Sequence, residues 1–409
     1  VAGLPGRQGQ ALSRAGREGL VALTAAFVLA AGGATSNALW DDAMRTDLRS
    51  YVAAGDAVRV GKNPWVRQVL QAASPDHAPF PYLYPPPLAQ AWALVPPDAP
   101  GVRGWTVVSV LAMAGACAAS AAAAAGTAGA WPAVALALGF AAILPVENNL
   151  HMGQANPLVL VFIAVAVWMA ERRRGVMAGA ALAVAAMVKV TPAALLIHLV
   201  SRAGRRAWVG FALGAAGVLA WESTAPGGLS LWRQFAAFAP STGFGKTVPG
   251  LFAPGVIFNF SPAGFFARLG FDAAENARAC WATLGVGAAV VAVQYRRHAD
   301  RPELLLAALA LMVVAAPVTY VHHVIFLLPG LAVAGAVSLT LRPLARNVVL
   351  PLLVAGAAAA SVDFPYLYGN FGAEHAAWAS FNLFAIVLLF AVGLVLPELP
   401  RTVAKTDAD

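Results

Sequence analysis

The sequence contains few charged residues and only two cysteines. Charged side chains account for 11% of its 409 residues, whereas an ordinary soluble domain has about a quarter. This deficit excludes a water-soluble globular enzyme. Cys117 and Cys280 are too few for a framework of disulfides and lack the spacing of a metal site. Neither redox chemistry nor structural zinc is therefore expected.

Long apolar runs take the place of the missing charge. Hydrophobic residues make up 60% of the chain, and the mean hydropathy is +0.70. Because only a bilayer solvates such runs, they predict membrane spans near 18–38, 103–123, 131–146, 157–171, 175–202, 207–222, 279–296, 303–318, 322–340, 347–362 and 379–397. The expected fold class is an all-α polytopic membrane protein, in which residues 1–409 form one integral membrane domain.

Basic connections between the runs set the predicted topology. Positive charge is enriched in cytoplasmic loops, which assigns both termini and four connections to the cytoplasm, namely 171–174, 202–206, 295–301 and 342–346. The run 175–202 begins and ends at such connections, so we expect it to turn at Lys189–Pro192, where Pro192 interrupts a helix. The number of transmembrane helices then becomes about twelve.

The hairpin predicted in this run has arms too short for the roughly 30 Å hydrocarbon core, so its turn is expected at membrane depth. The run 18–38 follows three arginines and is expected to be an anchor that is retained. The net charge of +8 follows from the basic cytoplasmic connections. It is therefore a topology signal, and no nucleic-acid partner is expected.

With this topology, unusual polar and aromatic residues collect on the extracytoplasmic side, in the segments 39–102, 147–156, 189–192, 223–278, 318–323 and 363–378. We expect this side to carry the function. The first outer loop, 39–102, predicts an interfacial helix. The long loop 223–278 predicts a lid or an acceptor groove, because loops of this length are usually functional, with Lys246 and Asn259 as candidate contacts.

Asp47 lies at the start of the predicted interfacial helix, whose apolar positions include Leu48, Tyr51 and Val58. A carboxylate there can satisfy free N–H groups of the first turn. Alternatively, it can accept the proton of a sugar hydroxyl as a catalytic base. The pair Asp41–Asp42 lacks partner histidines, so no metal site is predicted.

Two further outer segments are rich in groups that suit sugars. Tyr84 belongs to the pentapeptide 80–84, whose sequence occurs again at 364–368. Its tyrosines are candidates for stacking against a sugar, and an aromatic belt at the membrane interface is the alternative. The turn 147–156 contains His151, Gln154 and Asn156 among six polar side chains. Helix capping explains one or two of these, and hydrogen bonding to sugar hydroxyls accommodates the rest.

Three cationic or imidazole side chains point to an anionic ligand. Lys189 lies within an apolar run, which by default marks a functional group whose partner is an anion. A structural pair with Glu147 or Asp47 is the alternative. His322 and His323 lie at the outer end of a span, and they lack the spacing of a metal site. Adjacent residues of a helix point about 100° apart, so one histidine is expected to face the cavity and the other to be a hydrogen-bonded core residue. A phosphate is the partner predicted for Lys189 and for the histidine that faces the cavity.

The ordered motifs resemble glycosyltransferase family 87. They are Asp47-Leu48 with Tyr51, Gly61-x-x-Pro64, Tyr84-Pro85-Pro86, Gly153-Gln154-x-Asn156, Lys189-x-Thr191-Pro192, and Ala316-Pro317-Val318 with His322-His323. Val190 and Trp65 differ from the residues that are more frequent at these positions in the family. The motifs therefore do not identify the sugar or the acceptor.

The resemblance implies a GT-C-type membrane enzyme that uses polyprenyl-phosphate sugars and inverts the anomeric carbon without a metal or cofactor. It implies that Asp47 is the catalytic base and that His322 and His323 help to hold the donor phosphate. Enzymes of this kind include mannosyltransferases of phosphatidylinositol mannoside synthesis and some arabinofuranosyltransferases.

The expected function is therefore transfer of a sugar, foremost mannose, from a polyprenyl-phosphate donor to a glycolipid acceptor at the outer face of the bacterial plasma membrane. Membrane lipids are the surroundings expected for both substrates. Arabinose transfer is the alternative within the same mechanism. A flippase without chemistry is the alternative of another class, but it requires polar residues along a path to both faces, and the cytoplasmic halves of the spans are almost wholly Ala, Val, Leu and Gly.

Overall fold

The computed structural model describes residues 46–73, 80–95, 100–128, 145–248, 250–362 and 380–402. This part of the chain is mostly helical, and its one β pairing is an isolated bridge between Leu341 and Arg401. The predicted anchor 18–38, the pair Asp41–Asp42 and the second pentapeptide at 364–368 lie outside the described residues.

The helices in chain order are α1 (Thr46–Arg59), α2 (Arg67–Ala73), α3 (Pro86–Ala93), α4 (Pro100–Ala128), α5 (Asn156–Glu171), α6 (Gly175–Val188), α7 (Leu196–Ala203), α8 (Arg206–Thr224), α9 (Ser230–Phe238), α10 (Pro262–Arg268), α11 (Ala273–Arg297), α12 (Leu304–Val314), α13 (Leu328–Ser338), α14 (Pro343–Ser361) and α15 (Phe381–Val395). Residues 145–152 are also helical. Short 3-10 segments lie at Thr191–Leu195, Ala239–Thr242, Val321–Leu327 and Leu396–Glu398.

Five segments in the described part are long and apolar enough to cross a membrane: Gly104–Ala124, Ala273–Arg297, Val321–Ser338, Pro343–Ser361 and Phe381–Glu398. Shorter apolar helices are Asn156–Glu171, Gly175–Val188 and Leu304–Val314. The chain is thus a multi-pass membrane protein. The count of about twelve crossings is not confirmed and stays a prediction.

The predicted break in the run 175–202 is confirmed. Helix α6 ends at Val188, and the next residue, Lys189, is extended with φ −145° and ψ 119°. The chain resumes as the 3-10 segment Thr191–Leu195 and then as α7. Because proline lacks an N–H donor and disfavours helix at the residue before it, Pro192 explains why the helix does not continue through Lys189.

Helix α1 also forms where the amphipathic pattern predicts it, and it is held against α3. Leu48, Tyr51 and Val58 are buried on one face. A Cβ atom added at Gly55 would lie 2.7 Å from the backbone carbon of Trp92, so the two helices approach more closely there than any side chain would permit. This contact fixes the helix that carries Asp47.

The two long loops that the sequence places on the outer side contain regular structure. Helices α1, α2 and α3 occupy much of the segment 39–102, and α9 and α10 occupy part of 223–278. The second segment is tied to the bundle by Asn259, which accepts hydrogen bonds from the backbone N–H groups of Ser261 and Thr319 at 3.1 and 3.0 Å. Its role as a lid stays a prediction.

Candidate active site

Asp47 lies in the first turn of α1 and faces the turn that precedes α5. Its Oδ2 atom accepts a hydrogen bond from the Nε2 atom of Gln154 at 2.6 Å. The Asp47 side chain is half-buried, and Gln154 is buried. The two residues are 107 positions apart in the sequence, so the fold creates this contact.

The amide of Gln154 is itself held by two tyrosines. Its Oε1 atom accepts hydrogen bonds from the hydroxyl groups of Tyr51 and Tyr84 at 3.1 and 3.0 Å. The oxygen of Tyr51 in turn accepts the backbone N–H of Ala155 at 3.4 Å. With Oε1 between the two hydroxyl groups, the amide nitrogen faces the Asp47 carboxylate, which pairs a donor with an acceptor.

Gly153 allows this turn to lie directly against α1. Its φ of +68° is in the left-handed region, and an added Cβ atom would lie 2.5 Å from the Cβ atom of Leu48. The indole of Trp105 donates to the Gly153 carbonyl at 3.0 Å. A side chain at position 153 would therefore push the turn away from the residue that follows Asp47 in the sequence.

The same turn holds Lys189. The Nζ atom of Lys189 donates to the Oδ1 atom of Asn156 at 2.9 Å. It also lies 5.7 Å from the ring centroid of Tyr84 and 5.3 Å from that of Phe326, within the range of cation–π attraction. Tyr84 thus contacts both the amide that binds Asp47 and the ammonium group.

Asn149 connects Asn156 to the histidine segment. It accepts a hydrogen bond from Asn156 at 3.1 Å and donates to the His322 carbonyl at 2.8 Å. The Nδ1 atom of His322 is 3.1 Å from Oδ1 of Asn148. The helical residues before Gly153 therefore join the lysine and histidine parts of the site.

His322 and His323 are both buried, and their ring centroids are 4.4 Å apart. The backbone N–H of Tyr320 donates to Nδ1 of His323 at 2.9 Å. Since Nδ1 acts as the acceptor, the ring hydrogen of His323 is on Nε2, which makes that atom a hydrogen-bond donor. Such a donor suits a phosphate oxygen.

The electrostatics favour a carboxyl group that exchanges a proton near neutrality. Burial raises the pKa of Asp47 to about 7, against the lowering effects of the Gln154 hydrogen bond and the Lys189 charge. Burial, and next the Asp47 carboxylate, also raises the pKa of Tyr320 to about 12. The same two causes raise the pKa of Tyr84. The tyrosines are therefore neutral hydrogen-bond donors, and Asp47 is the group suited to act as a base.

The structure thus joins Asp47, Tyr84, Gln154, Asn156 and Lys189 in one hydrogen-bonded and cation–π network, to which Asn149 adds the segment of His322 and His323. This network is called the outer site below, after the side of the membrane to which the predicted topology assigns it. The sequence motifs do not single out Tyr320 and Phe326, which also belong to it. Their proximity in the sequence to His322 and His323 is the one available signal.

Three other candidates are placed differently. His151 is half-buried, and its ring makes no hydrogen bond within the described residues. Lys246 is exposed and donates to the carbonyl of Pro240 in its own loop at 2.9 Å. Asn259 is buried, and its amide also donates to the carbonyls of Pro254 and Pro317. The polar atoms of Asn259 are thus engaged in holding its loop.

Among the described residues, no group of three or more His, Cys, Asp or Glu side chains could hold a metal ion. The outer site instead offers one carboxyl group, one ammonium group and several neutral donors. This set can take a proton from a hydroxyl and bind an anion.

Comparison with known proteins identifies the family of the chain. The family model described as glycosyltransferase family 87 matches residues 82–320. The match includes Tyr84, Gln154, Asn156 and Lys189, whereas Asp47 and the two histidines lie outside it. The comparison with curated proteins gives no match. Since the family model matches more than half of the chain, the protein belongs to glycosyltransferase family 87 and is a membrane glycosyltransferase.

Proposed function

We propose that this protein transfers a sugar from a polyprenyl-phosphate donor to a hydroxyl group of a lipid-anchored glycan, on the extracytoplasmic face of the bacterial plasma membrane. Mannose is the sugar proposed, and a phosphatidylinositol mannoside is the acceptor class. The observation that carries the proposal is the attachment of Asp47 and Lys189 to Gln154 and Asn156, two residues of one turn. A proton acceptor and an anion-binding cation are thereby held beside each other.

The proposed reaction is a single displacement. The acceptor hydroxyl loses its proton to Asp47 as its oxygen bonds to the anomeric carbon. The bond between this carbon and the phosphate oxygen breaks, and the polyprenyl phosphate leaves with the electron pair. Lys189 and the Nε2–H of His323 stabilise the charge that develops on the phosphate.

This arrangement supports inversion at the anomeric carbon. Retention by double displacement needs a carboxylate nucleophile within about 5.5 Å of the catalytic acid or base. Among the described residues, the acidic side chain of the turn that carries Gln154 is Glu147, which is exposed. Asp47 acts as the base in a direct attack and not as the nucleophile.

A lipid-linked donor is supported by the location proposed for the site. Nucleotide sugars are made in the cytoplasm and are too polar to cross the membrane, so an enzyme that works on the outer face needs a sugar carried on a lipid. The apolar helices around the outer site accommodate the lipid chains of donor and acceptor.

The proposal is tested with purified protein in lipid nanodiscs. Polyprenyl-phosphate mannose, polyprenyl-phosphate arabinose and a nucleotide sugar are each offered with a phosphatidylinositol mannoside, and the extended glycolipid is measured. We expect transfer from the mannosyl lipid and none from the nucleotide sugar. Transfer from the arabinosyl lipid alone would replace mannose with arabinose, and donor translocation without transfer would contradict the enzyme.

Two aspartates of α1 make a matched pair for this assay. Asp47→Asn removes the proposed base and is expected to lower turnover by at least about a hundredfold. Asp56→Asn is the control, because Asp56 pairs with Arg59 on the surface of the same helix. Equal loss in both variants, or full activity of Asp47→Asn, would contradict the role of Asp47.

A further inference from the structure

We propose that Gln154 is a positioning residue that occupies Oδ2 of Asp47 and leaves Oδ1 to accept the proton of the acceptor hydroxyl. This inference rests on the proposed function and differs from the sugar contact that the sequence predicts for Gln154. It assigns separate roles to the two oxygens of the base.

The Gln154 amide is held in one orientation. Its two tyrosine partners come from different elements, Tyr51 from α1 and Tyr84 from the segment before α3. Rotation of the amide by 180° would place its oxygen against the Asp47 carboxylate and its nitrogen against both hydroxyl groups. Since the Tyr51 oxygen already accepts the Ala155 N–H, the observed orientation satisfies more of these groups.

Gln154 has little capacity for further hydrogen-bond partners. Both lone pairs of its Oε1 atom are used by the tyrosines, and one of its two N–H hydrogens is given to Asp47. The side chain is 3% exposed. A sugar hydroxyl would therefore meet few free groups on Gln154, whereas Asp47 keeps part of its surface exposed.

Gln154 also affects the charge of Asp47. A hydrogen bond from Gln154 stabilises the carboxylate form and opposes the effect of burial. The titratable groups that interact with this carboxyl from the surrounding elements are Lys189, Tyr51, Tyr84 and Tyr320. The tyrosines remain neutral near pH 7, so Gln154 and Lys189 are the two groups that hold the carboxylate in its reactive form.

The carboxyl group of Asp47 can be followed directly by infrared spectroscopy. Its protonated C=O band is identified as the band that Asp47→Asn removes from pH-dependent difference spectra. In the wild-type protein we expect the band to titrate with a midpoint of about 7. In Gln154→Leu we expect the midpoint to rise by about one unit, because a hydrogen bond to the charged form is lost.

Asn276→Leu is the matched control for loss of a buried amide. Asn276 is buried in α11 and donates to the carbonyl of Ala263 at 2.8 Å, and it has no part in the outer site. We expect the midpoint to stay at the wild-type value in this variant. Tyr51→Phe and Tyr84→Phe, which release the Gln154 amide without removing it, should each produce a smaller rise and serve if Gln154→Leu does not fold.

The kinetic measurement is the pH dependence of kcat/KM for sugar transfer. In Gln154→Leu, the midpoint of its acid limb should shift to higher pH together with the infrared midpoint. Loss of activity with an unmoved midpoint in Gln154→Leu and in both tyrosine variants would overturn the positioning role. A shifted midpoint without transfer from any lipid-linked sugar would support the positioning of Asp47 and contradict the proposed function.

Discussion

Lys189 donates a hydrogen bond to Asn156 at the beginning of α5. Gln154, two positions before Asn156 in the sequence, donates a hydrogen bond to Asp47. The two ends of the proposed reaction are therefore attached to one short turn. A change in this turn alters the base, the cation or the distance between them. Gly153, Gln154 and Asn156 should consequently have separable effects on catalysis.

Removal of the Asn156 amide should weaken binding of the sugar donor and leave the pKa of Asp47 nearly unchanged. Asn156→Leu leaves Lys189 without its hydrogen-bond acceptor, and a bond to a charged group contributes about 1.5–3 kcal/mol. We expect KM for the lipid-linked donor to rise roughly 10-fold to 100-fold, while the midpoint of the acid limb stays within about half a unit of the wild type.

This expectation is checked by kinetics with varied donor at saturating acceptor. Asn382→Leu provides a control, because Asn382 is a buried amide of α15 that donates to the Ala359 carbonyl at 3.2 Å. A pH shift in Asn156→Leu without a change in donor KM would argue that Asn156 acts on Asp47 and not on Lys189.

The pH dependence of transfer should follow the protonation of Asp47. Because burial raises the pKa of this carboxyl to about 7, the group is protonated below that pH and cannot accept the acceptor proton. We expect kcat/KM to rise with pH, at about tenfold per unit well below pH 7. A profile flat from about pH 5 to about pH 8 would contradict this assignment.

The close approach of Gly153 to Leu48 should make this glycine irreplaceable for two reasons. Gly153→Ala adds a side chain at φ +68° and places its Cβ atom 2.5 Å from that of Leu48. Gly61→Ala is the control for backbone strain alone, since Gly61 has φ +72° with no atom within 4 Å. Each strained backbone costs about 1–3 kcal/mol, and we expect Gly153→Ala to lose more thermal stability and nearly all activity.

Thermal unfolding in detergent and sugar transfer measure these two losses. Because the atom approached is the Cβ of Leu48, Leu48→Gly combined with Gly153→Ala should lose less stability than the sum of the two single losses if the contact is responsible. Equal melting temperatures and activities for Gly153→Ala and Gly61→Ala would show that the approach to α1 does not matter.

The proposed role of His323 requires a hydrogen-bond donor at the position of its Nε2 atom. The side-chain nitrogen of glutamine can occupy a place close to Nε2, whereas that of asparagine falls nearer to Nδ1. We therefore expect His323→Gln to keep part of the activity and His323→Asn to raise KM for the donor by about tenfold or more. Transfer kinetics for both variants provide the test. Higher activity in the asparagine variant would contradict the hydrogen position inferred from the Tyr320 N–H.

Much of the fold is predictable from the sequence because apolar runs and basic connections carry the information locally. The helices at 103–123, 157–171 and 279–296, and the break at Lys189, appear where hydropathy and Pro192 place them. Apart from α1, the helices in the loops 39–102 and 223–278 are harder to predict, because they are short and depend on tertiary packing such as the contact of α3 with Gly55.

The candidate site is predictable in its members but not in their partners. Asp47, Lys189 and Gln154 can be singled out as polar residues in an apolar chain. That Gln154 contacts Asp47 is a tertiary relationship across 107 positions. Lys246 and Asn259 show the converse, since their residue types suit sugars but their loop uses their hydrogen bonds.

The most direct test of the proposed reaction is a structure of the protein with a phosphonate analogue of a polyprenyl-phosphate sugar, which cannot transfer its sugar. We expect the phosphonate group within hydrogen-bonding distance of the Lys189 Nζ atom, with the anomeric carbon between this group and Asp47. A phosphonate bound away from Lys189, or a sugar that Asp47 cannot approach from the side opposite the leaving group, would contradict the mechanism.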